Sequence, residues 1–336
     1  MFDAINTHLD NSKHVVILQA DNPDGDSIGS ALALEAILAD MGKQVTLCCA
    51  VDMPSYLRYL SGWDRVVKEI PQQFDMTIVV DTSSESLFEY YEKDQSFSWI
   101  KAKPVIVLDH HTETSGLSYA TETFNMNAAA TSEVIHDVAI ELDWPLPLDA
   151  CEFMAISIMS DTMGLVTDSA TAHTIKVVAD LVERGVSLAK LENSRRDLMR
   201  KEQVLVPYKG RLLERVNFDA SGRIATVTIP WKEIEEFSPL YNPSMLVMDD
   251  MRMTVGVDVA IGYKIYKDGK ITAKIRCNYG KAIASELSAH FGGGGHPYAA
   301  GFKIKDGTSI SDLHKKVIDK AGSLLDRLAL EANGKE

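Results

Sequence analysis

A chain of 336 residues with 46% hydrophobic content can bury a substantial core, and its length predicts two domains more readily than one. Its 34 basic and 48 acidic residues leave a net charge of -14, which argues against tight binding of long duplex DNA, where Lys and Arg must displace counterions, but leaves room for a short anionic ligand held by a few local cations. No apolar run approaches the roughly 20 residues that a membrane helix needs, the acid-bearing opening MFDAINTHLDNSKH is no signal peptide, and Cys48, Cys49, Cys151 and Cys277 lack C-x-x-C spacing, so a cytoplasmic protein with reduced thiols and no membrane partner is expected.

In chain order, residues 14–20 (HVVILQA) form a continuous apolar strand, and 27–41 carry apolar residues at helical spacing up to Gly42. Strand-like runs follow at 44–50, 76–80 and 105–108, with helical stretches near 131–142, 150–160 and 171–184. Val/Ile/Leu strands alternating with amphipathic helices predict a parallel sheet covered on both faces. Ligands of such sheets sit beyond the carboxyl ends of the strands.

Three acidic features stand at such places, and a fourth follows a helix. Asp24 and Asp26 share the turn after the first strand, where they can hold adjacent cations; a Pro-Asp-Gly turn with Asp26 as helix N-cap accounts for the same residues. Asp81 ends the run 76–80, as a ligand or as a cap for the segment from Glu85. Asp109, His110 and His111 follow the run 105–108 without a turn residue, either as a polar strand end or as donors for Mn, Zn or Fe. Asp161 follows an apolar helix at its unfavourable dipole end, which capping does not explain. Acids crowded at one sheet edge repel each other at neutral pH, and a metal centre is the economical explanation.

The second half opens with a helical stretch, 188–201, read as a linker whose Arg195, Arg196, Arg200 and Lys201 form a solvated basic face paired with neighbouring acids, with a cleft-facing role toward an anionic substrate as the alternative. Hairpins are predicted around 219–222 and 267–270, flanked by 212–218 with 223–229 and by 255–266 with 271–277, in an antiparallel sheet closed by a helix over 312–332. Four glycines, 292–295, weaken any regular element. They predict a backbone whose N–H groups converge on an anion, with His296 as a further donor; a flexible linker is the alternative.

Taken together these motifs resemble the DHH phosphoesterase superfamily in its DHH-DHHA1 branch, which includes bifunctional oligoribonuclease and pAp phosphatases and cyclic-dinucleotide phosphodiesterases. The matching residues are Asn22 to Asp26, Asp81, Asp109-His110-His111, Asp161 and the run from Phe291 through Gly292-Gly293-Gly294-Gly295-His296 to Phe302. The resemblance implies an α/β protein: a parallel-sheet DHH domain (1–185), a helical linker (186–205) and a smaller α+β DHHA1 domain (206–336), with substrate in the cleft between. It implies two Mn2+ sites sharing Asp81. One uses Asp26, Asp81, His110 and Asp161; the other uses Asp24, Asp81 and a His at the position of Ala20, which cannot ligate. Asp21 is a better substitute than Gln19. One firm site and one weak or water-rich site are expected, with Mg2+ as the other candidate ion.

By the same resemblance His111 binds phosphate or donates a proton while Asp109 orients it, and Arg276 grips phosphate alongside Gly293, Gly294, Gly295 and His296, with Asn278 and Lys281 weaker candidates. The expected activity is hydrolysis of short nucleotidic phosphodiesters or phosphomonoesters: nanoRNA, pAp, and linear or cyclic dinucleotides. A weakened nucleotide-binding relative and an inorganic pyrophosphatase are the alternatives. Homodimer formation is left open.

Overall fold

The computed structural model describes every residue except Ser83, 94–96, 112–115 and 334–336, together with the side chains of 332 and 333. The chain divides into two compact units, Met1–Arg200 and Lys201–Glu336.

The first unit opens with α1 (Asp3–Asp10) and is built on five parallel strands: β1 (His14–Leu18), β2 (Gln44–Cys48), β3 (Met76–Val80), β4 (Val105–Asp109) and β5 (Glu122–Asn125), in the order β2-β1-β3-β4-β5. The period-two alternation of β1, β3 and β4 splits their apolar residues between two cores. Val15, Ile17, Ile78, Val80, Ile106 and Leu108 pack beneath α2 (Gly25–Asp40), α5 (Thr131–Glu141), α6 (Leu148–Asp161) and α7 (Ala172–Glu183). On the opposite face Val16, Leu18, Val79 and Val107 meet Tyr91 of α3 (Glu89–Glu92) and Phe97 and Ile100 of α4 (Phe97–Lys101). β3 and β4 are buried at every residue, which is why they read as unbroken hydrophobic runs. β5 gives no such signal in the sequence, because only Phe124 of its four residues is buried.

Close approach of α2 and α6 fixes how far apart these two helices hold their side chains. A Cβ on Gly29 would stand 2.9 Å from Ser157 Cβ and 3.0 Å from the Phe153 carbonyl oxygen, and a Cβ on Gly25 would meet Ser160 Oγ at 2.1 Å. Gly29→Ala gains helix propensity of about 1 kcal/mol, but backbone atoms of α6 must move to admit the methyl. We expect a net loss of about 1–3 kcal/mol, read as a lower denaturation midpoint in urea; an unchanged or higher midpoint would contradict the contact.

The helix read as a linker, α8 (Leu188–Leu198), packs on α6 and lies within the first unit. Three of the four cations have acid partners: Glu192 accepts from both Arg195 and Arg196, and Asp197 from Arg200, while Lys201 lies over the Tyr241 ring.

The second unit departs from expectation in two places. Residues 212–218 do not form a strand: α9 (Leu205–Leu213) occupies the start of that range, with Leu205, Tyr208 and Leu212 buried at helical spacing, and β6 (Asn217–Asp219) is only three residues long. β6 forms the predicted hairpin with β7 (Ile224–Ile229), but β7 and β8 (Val259–Ile265) run parallel through a crossover containing α10 (Trp231–Phe237) and α11 (Met248–Arg252). The sheet is therefore mixed, not antiparallel. Its remaining strands are β9 (Ile271–Cys277), in a hairpin with β8, then β10 (Gly294–His296) and β11 (Ala299–Ile304), in the order β10-β11-β9-β8-β7-β6. Between β9 and β10 lies α12 (Ala284–His290), and α13 (Ile310–Asn333) covers one face with Leu313, Val317, Ala321, Leu324 and Leu325.

All four cysteines are buried and free, and among the described residues no helix is long and apolar enough to cross a membrane.

Candidate metal centre and phosphate row

Elements distant in sequence deliver acids to the carboxyl ends of β1, β3 and β4. The N-cap of α2 is Asp24, not Asp26: the Asp24 carboxylate accepts from the backbone N–H groups of Asp26 and Ser27, both at 3.0 Å, and its own N–H donates to Ser27 Oγ. That leaves Asp26, in the first turn and fully buried, free to face inward. Asp26 Oδ1 accepts from Ser30 Oγ (2.9 Å) and Ser157 Oγ (2.5 Å), and its Oδ2 from the Thr131 N–H (2.8 Å). Asp81 leaves β3 with φ of 61°, a left-handed conformation that Asp tolerates better than most residues, and its Oδ1 accepts from Thr131 Oγ1 at 3.1 Å. Capping is not its role, since the short helix from Glu85 follows Ser84 and has no side-chain cap.

These acids surround one imidazole. His110 Nδ1–H donates to the Ala128 carbonyl at 3.2 Å, which leaves Nε2 carrying a lone pair. Nε2 is buried without a hydrogen-bond partner, 3.5 Å from Asp26 Oδ2, 3.5 Å from Asp81 Oδ1 and 3.4 Å from Asp161 Oδ2. A lone pair facing three carboxylate oxygens is repulsive unless a cation lies among them. Ligand bonds of about 2.1 Å place neighbouring donor atoms about 3 to 3.5 Å apart, so the donor set fits a divalent ion. Burial is the main reason the Asp161 carboxyl is pushed up to about 8, reinforced by Asp26 and Asp24, and burial with Asp26, Asp24 and Asp161 nearby holds Asp81 well above the usual carboxylate range.

His111 stands beside this group, half exposed. Its Nδ1 lies 2.8 Å from Asp109 Oδ1, which also accepts the backbone N–H groups of His110 and His111. The Asp109 contact raises the His111 pKa. Two compact donor groups result: Asp26, His110 and Asp161, and Asp81, His110 and His111. Asp24 belongs to neither, although its charge reaches Asp81 and Asp161.

Position 20 offers nothing to a second ion. Ala20 is buried; Asp21 Oδ2 accepts the Tyr90 N–H at 3.0 Å, while its Oδ1 is buried without a hydrogen-bond partner, and Asp21 joins neither compact donor group of acids and imidazoles. Gln19 is fully buried, with neither amide atom hydrogen-bonded. The hydroxyls of Ser30, Thr131 and Ser157 and the Ala128 carbonyl, which hold the ligands in place, were missed from sequence. Only Ser157, a polar residue inside the apolar run of α6, left any signal there.

In the second unit the glycine run is not a converging nest. Gly292 and Gly293 donate to the Ala289 and Ser288 carbonyls and close α12, while Gly294 and Gly295 lie in β10, paired with Gly301 and Ala300. Packing explains two of the four: a Cβ on Gly293 would meet the Gly301 carbonyl at 2.3 Å, and one on Gly295 the Ala299 carbonyl at 2.7 Å. What the pairing does create is a row. His296 and Arg276 are both in register with Ala299, from β10 and β9 on its two sides, so all three share one sheet face with only a methyl between the imidazole and the guanidinium. Asn278 is structural, its amide donating to the Arg252 and Val257 carbonyls, and Lys281 lies 3.6 Å from Asp258.

Residues 14–158 match the DHH family, N-terminal domain, and residues 244–323 match the DHHA1 domain. Over 310 residues the chain is 25% identical to the bifunctional oligoribonuclease and PAP phosphatase NrnA of Thermus thermophilus, spanning 91% of this chain and 88% of that protein. It is 26% identical over 195 residues to a probable manganese-dependent inorganic pyrophosphatase of Enterococcus faecalis, spanning 53% of this chain and 59% of that one. Among solved structures, an exopolyphosphatase-related protein from Bacteroides fragilis matches with a TM-score of 0.81 over 97% of both chains at 18% identity, a likeness of fold.

Proposed function

The chain belongs to the DHH phosphoesterase superfamily, in the branch that joins a DHH domain to a DHHA1 domain, and on that premise we propose that it is a manganese-dependent hydrolase of short nucleotidic phosphoesters. The observation that carries this reading is the bare Nε2 of His110 inside a ring of three carboxylates. Oxygen-rich donors with one imidazole suit Mn2+, with Mg2+ second. Asp26, Asp81, His110 and Asp161 would hold the ion. Bound there, it supplies Lewis-acid activation of water and neutralises charge on the phosphoryl oxygens. His111, oriented by Asp109 and with its pKa raised, carries the proton that a departing alkoxide requires. Arg276 and His296, together with the edge-strand glycines Gly294 and Gly295, would bind substrate phosphate; the Gly293 N–H is taken by the Ser288 carbonyl.

A cavity of about 570 Å3 walled by Ser160, Met163 and Arg195 lies beside Asp161 within the first unit, a size that suits a small ligand. With a net charge of -14, this favours an oligoribonucleotide of a few residues or pAp over long nucleic acid. The test is release of mononucleotide or phosphate from short RNA and from pAp with Mn2+, against Asp81→Ala. Failure to exceed that variant would leave a nucleotide binder, and turnover confined to pyrophosphate would make the chain a pyrophosphatase, a reading the Enterococcus faecalis likeness keeps in view.

Ala20 bears on how many ions bind. With no ligand at position 20, with Asp21 engaged by Tyr90 and with Asp24 capping α2, we expect about one tightly held Mn per chain. Ala20→His should raise this toward two, as read by elemental analysis after desalting. Two ions in the parent chain would show that another group supplies the missing donor.

A further inference from the structure

We propose that Tyr279 and Tyr298 form a two-ring clamp that sandwiches a nucleobase, which makes the ligand of the second unit a base-bearing phosphate; this rests on the phosphoesterase reading above. The two rings are parallel, with an interplanar angle of 2° and centroids 6.5 Å apart. Rings packed directly on each other would each lose most of one face, yet Tyr279 keeps 85% of its surface exposed and Tyr298 keeps 39%. Tyr279 therefore keeps ring surface free to contact a planar ligand beside Tyr298.

A planar base contacts a ring at about 3.5 Å, so a sandwich needs about 7 Å between the outer rings. The centroid separation of 6.5 Å between nearly parallel rings is close to that span, and rotation of the exposed Tyr279 side chain against Tyr298 brings the pair to it. Their placement joins stacking to phosphate binding. Tyr279 follows Arg276 by three residues and Tyr298 follows His296 by two, and the Cys277 N–H donates to the Tyr298 carbonyl at 2.9 Å, tying the two segments together. Aromatic faces with adjacent cations hold single-stranded nucleotides with little preference for sequence, because every base offers a π-face.

The test uses the whole chain carrying Asp81→Ala, so that turnover does not interfere, and titrates 5′-AMP and ribose 5-phosphate separately by proton NMR. Expected are about tenfold tighter binding of 5′-AMP and upfield movement of its H2 and H8 signals, as for a base between two ring currents. Adding Tyr279→Ala or Tyr298→Leu should bring 5′-AMP down to the level of ribose 5-phosphate, whereas Tyr279→Phe keeps the difference. Thermal melts confirm that these surface variants are folded. Equal binding of the two ligands to the Asp81→Ala chain, or full 5′-AMP affinity in the Tyr279→Ala variant, overturns the clamp. Either result leaves untouched any Mn-dependent turnover by the chain with Asp81 intact, which is the separate measurement on which the phosphoesterase reading stands or falls.

Discussion

Asp81→Ala is expected to lower turnover of a short oligoribonucleotide at least about a thousandfold, about 4 kcal/mol of lost transition-state stabilisation, and to strip the chain of tightly held Mn2+. The size reflects position. Asp81 lies 3.5 Å from His110 Nε2 and 3.8 Å from His111 Nδ1, and the charge of Asp26 reaches it, so it joins one donor group and borders the other. Asp81→Asn is the sharper variant, since Asn also tolerates the left-handed backbone and still accepts from Thr131 while losing the charge. Activity of either variant within tenfold of the parent, at equal Mn content, would remove Asp81 from the centre of the chemistry.

Chelation should reverse the ordinary pH dependence of stability in the first unit. Asp161, pushed up to about 8, and Asp81, held well above the carboxylate range, keep protons in the folded chain that the unfolded chain releases near pH 4. Stability from these groups is greatest at or below about pH 4, falls as pH rises through the interval up to about 8 and then levels off. His111, raised by Asp109, adds a loss of the same sign as pH climbs through neutrality. Melts in EDTA are therefore expected to drop between pH 5 and pH 8. On the proposed reading a divalent ion would bind the ionised carboxylates, so its stabilising effect should grow over the same interval. His136, raised by its Asp137 and Asp180 contacts against the opposing effect of burial, lies outside the metal ligands, and its share of the decline should persist with metal present. A flat or rising profile in EDTA would mean that the acids are not crowded as described.

Much of this arrangement could be read from residue patterns because parallel strands obey a positional rule. Buried runs such as 76–80 and 105–108 announce themselves, and whatever comes after them lands at one edge; hence Asp81, His110 and Asp26 were placed correctly relative to the sheet. What stayed hidden depends on three-dimensional competition for the same atoms. Whether Asp24 or Asp26 capped α2 turned on which carboxylate could reach two N–H groups, a matter of one turn's geometry. The glycines of the second unit looked like an open loop because their cause, the nearness of Gly301 and Ala299 in β11, lies several residues away. The parallel pairing of β7 with β8 depended on a crossover whose short helices carry little periodic signal, and α9 was hidden because Leu212 suits a strand as well as a helix.

Gly29 carries no polar atom and touches no ligand, yet it acts as a calliper. Asp26 rides on the first turn of one helix and Asp161 on the last turn of another, and the span between their carboxylates is set where hydrogen meets Ser157 at the crossing. Widening that crossing by a methyl would move the jaws apart, so the fit of the proposed site to an ion of given radius would be set from a residue that the ion never meets.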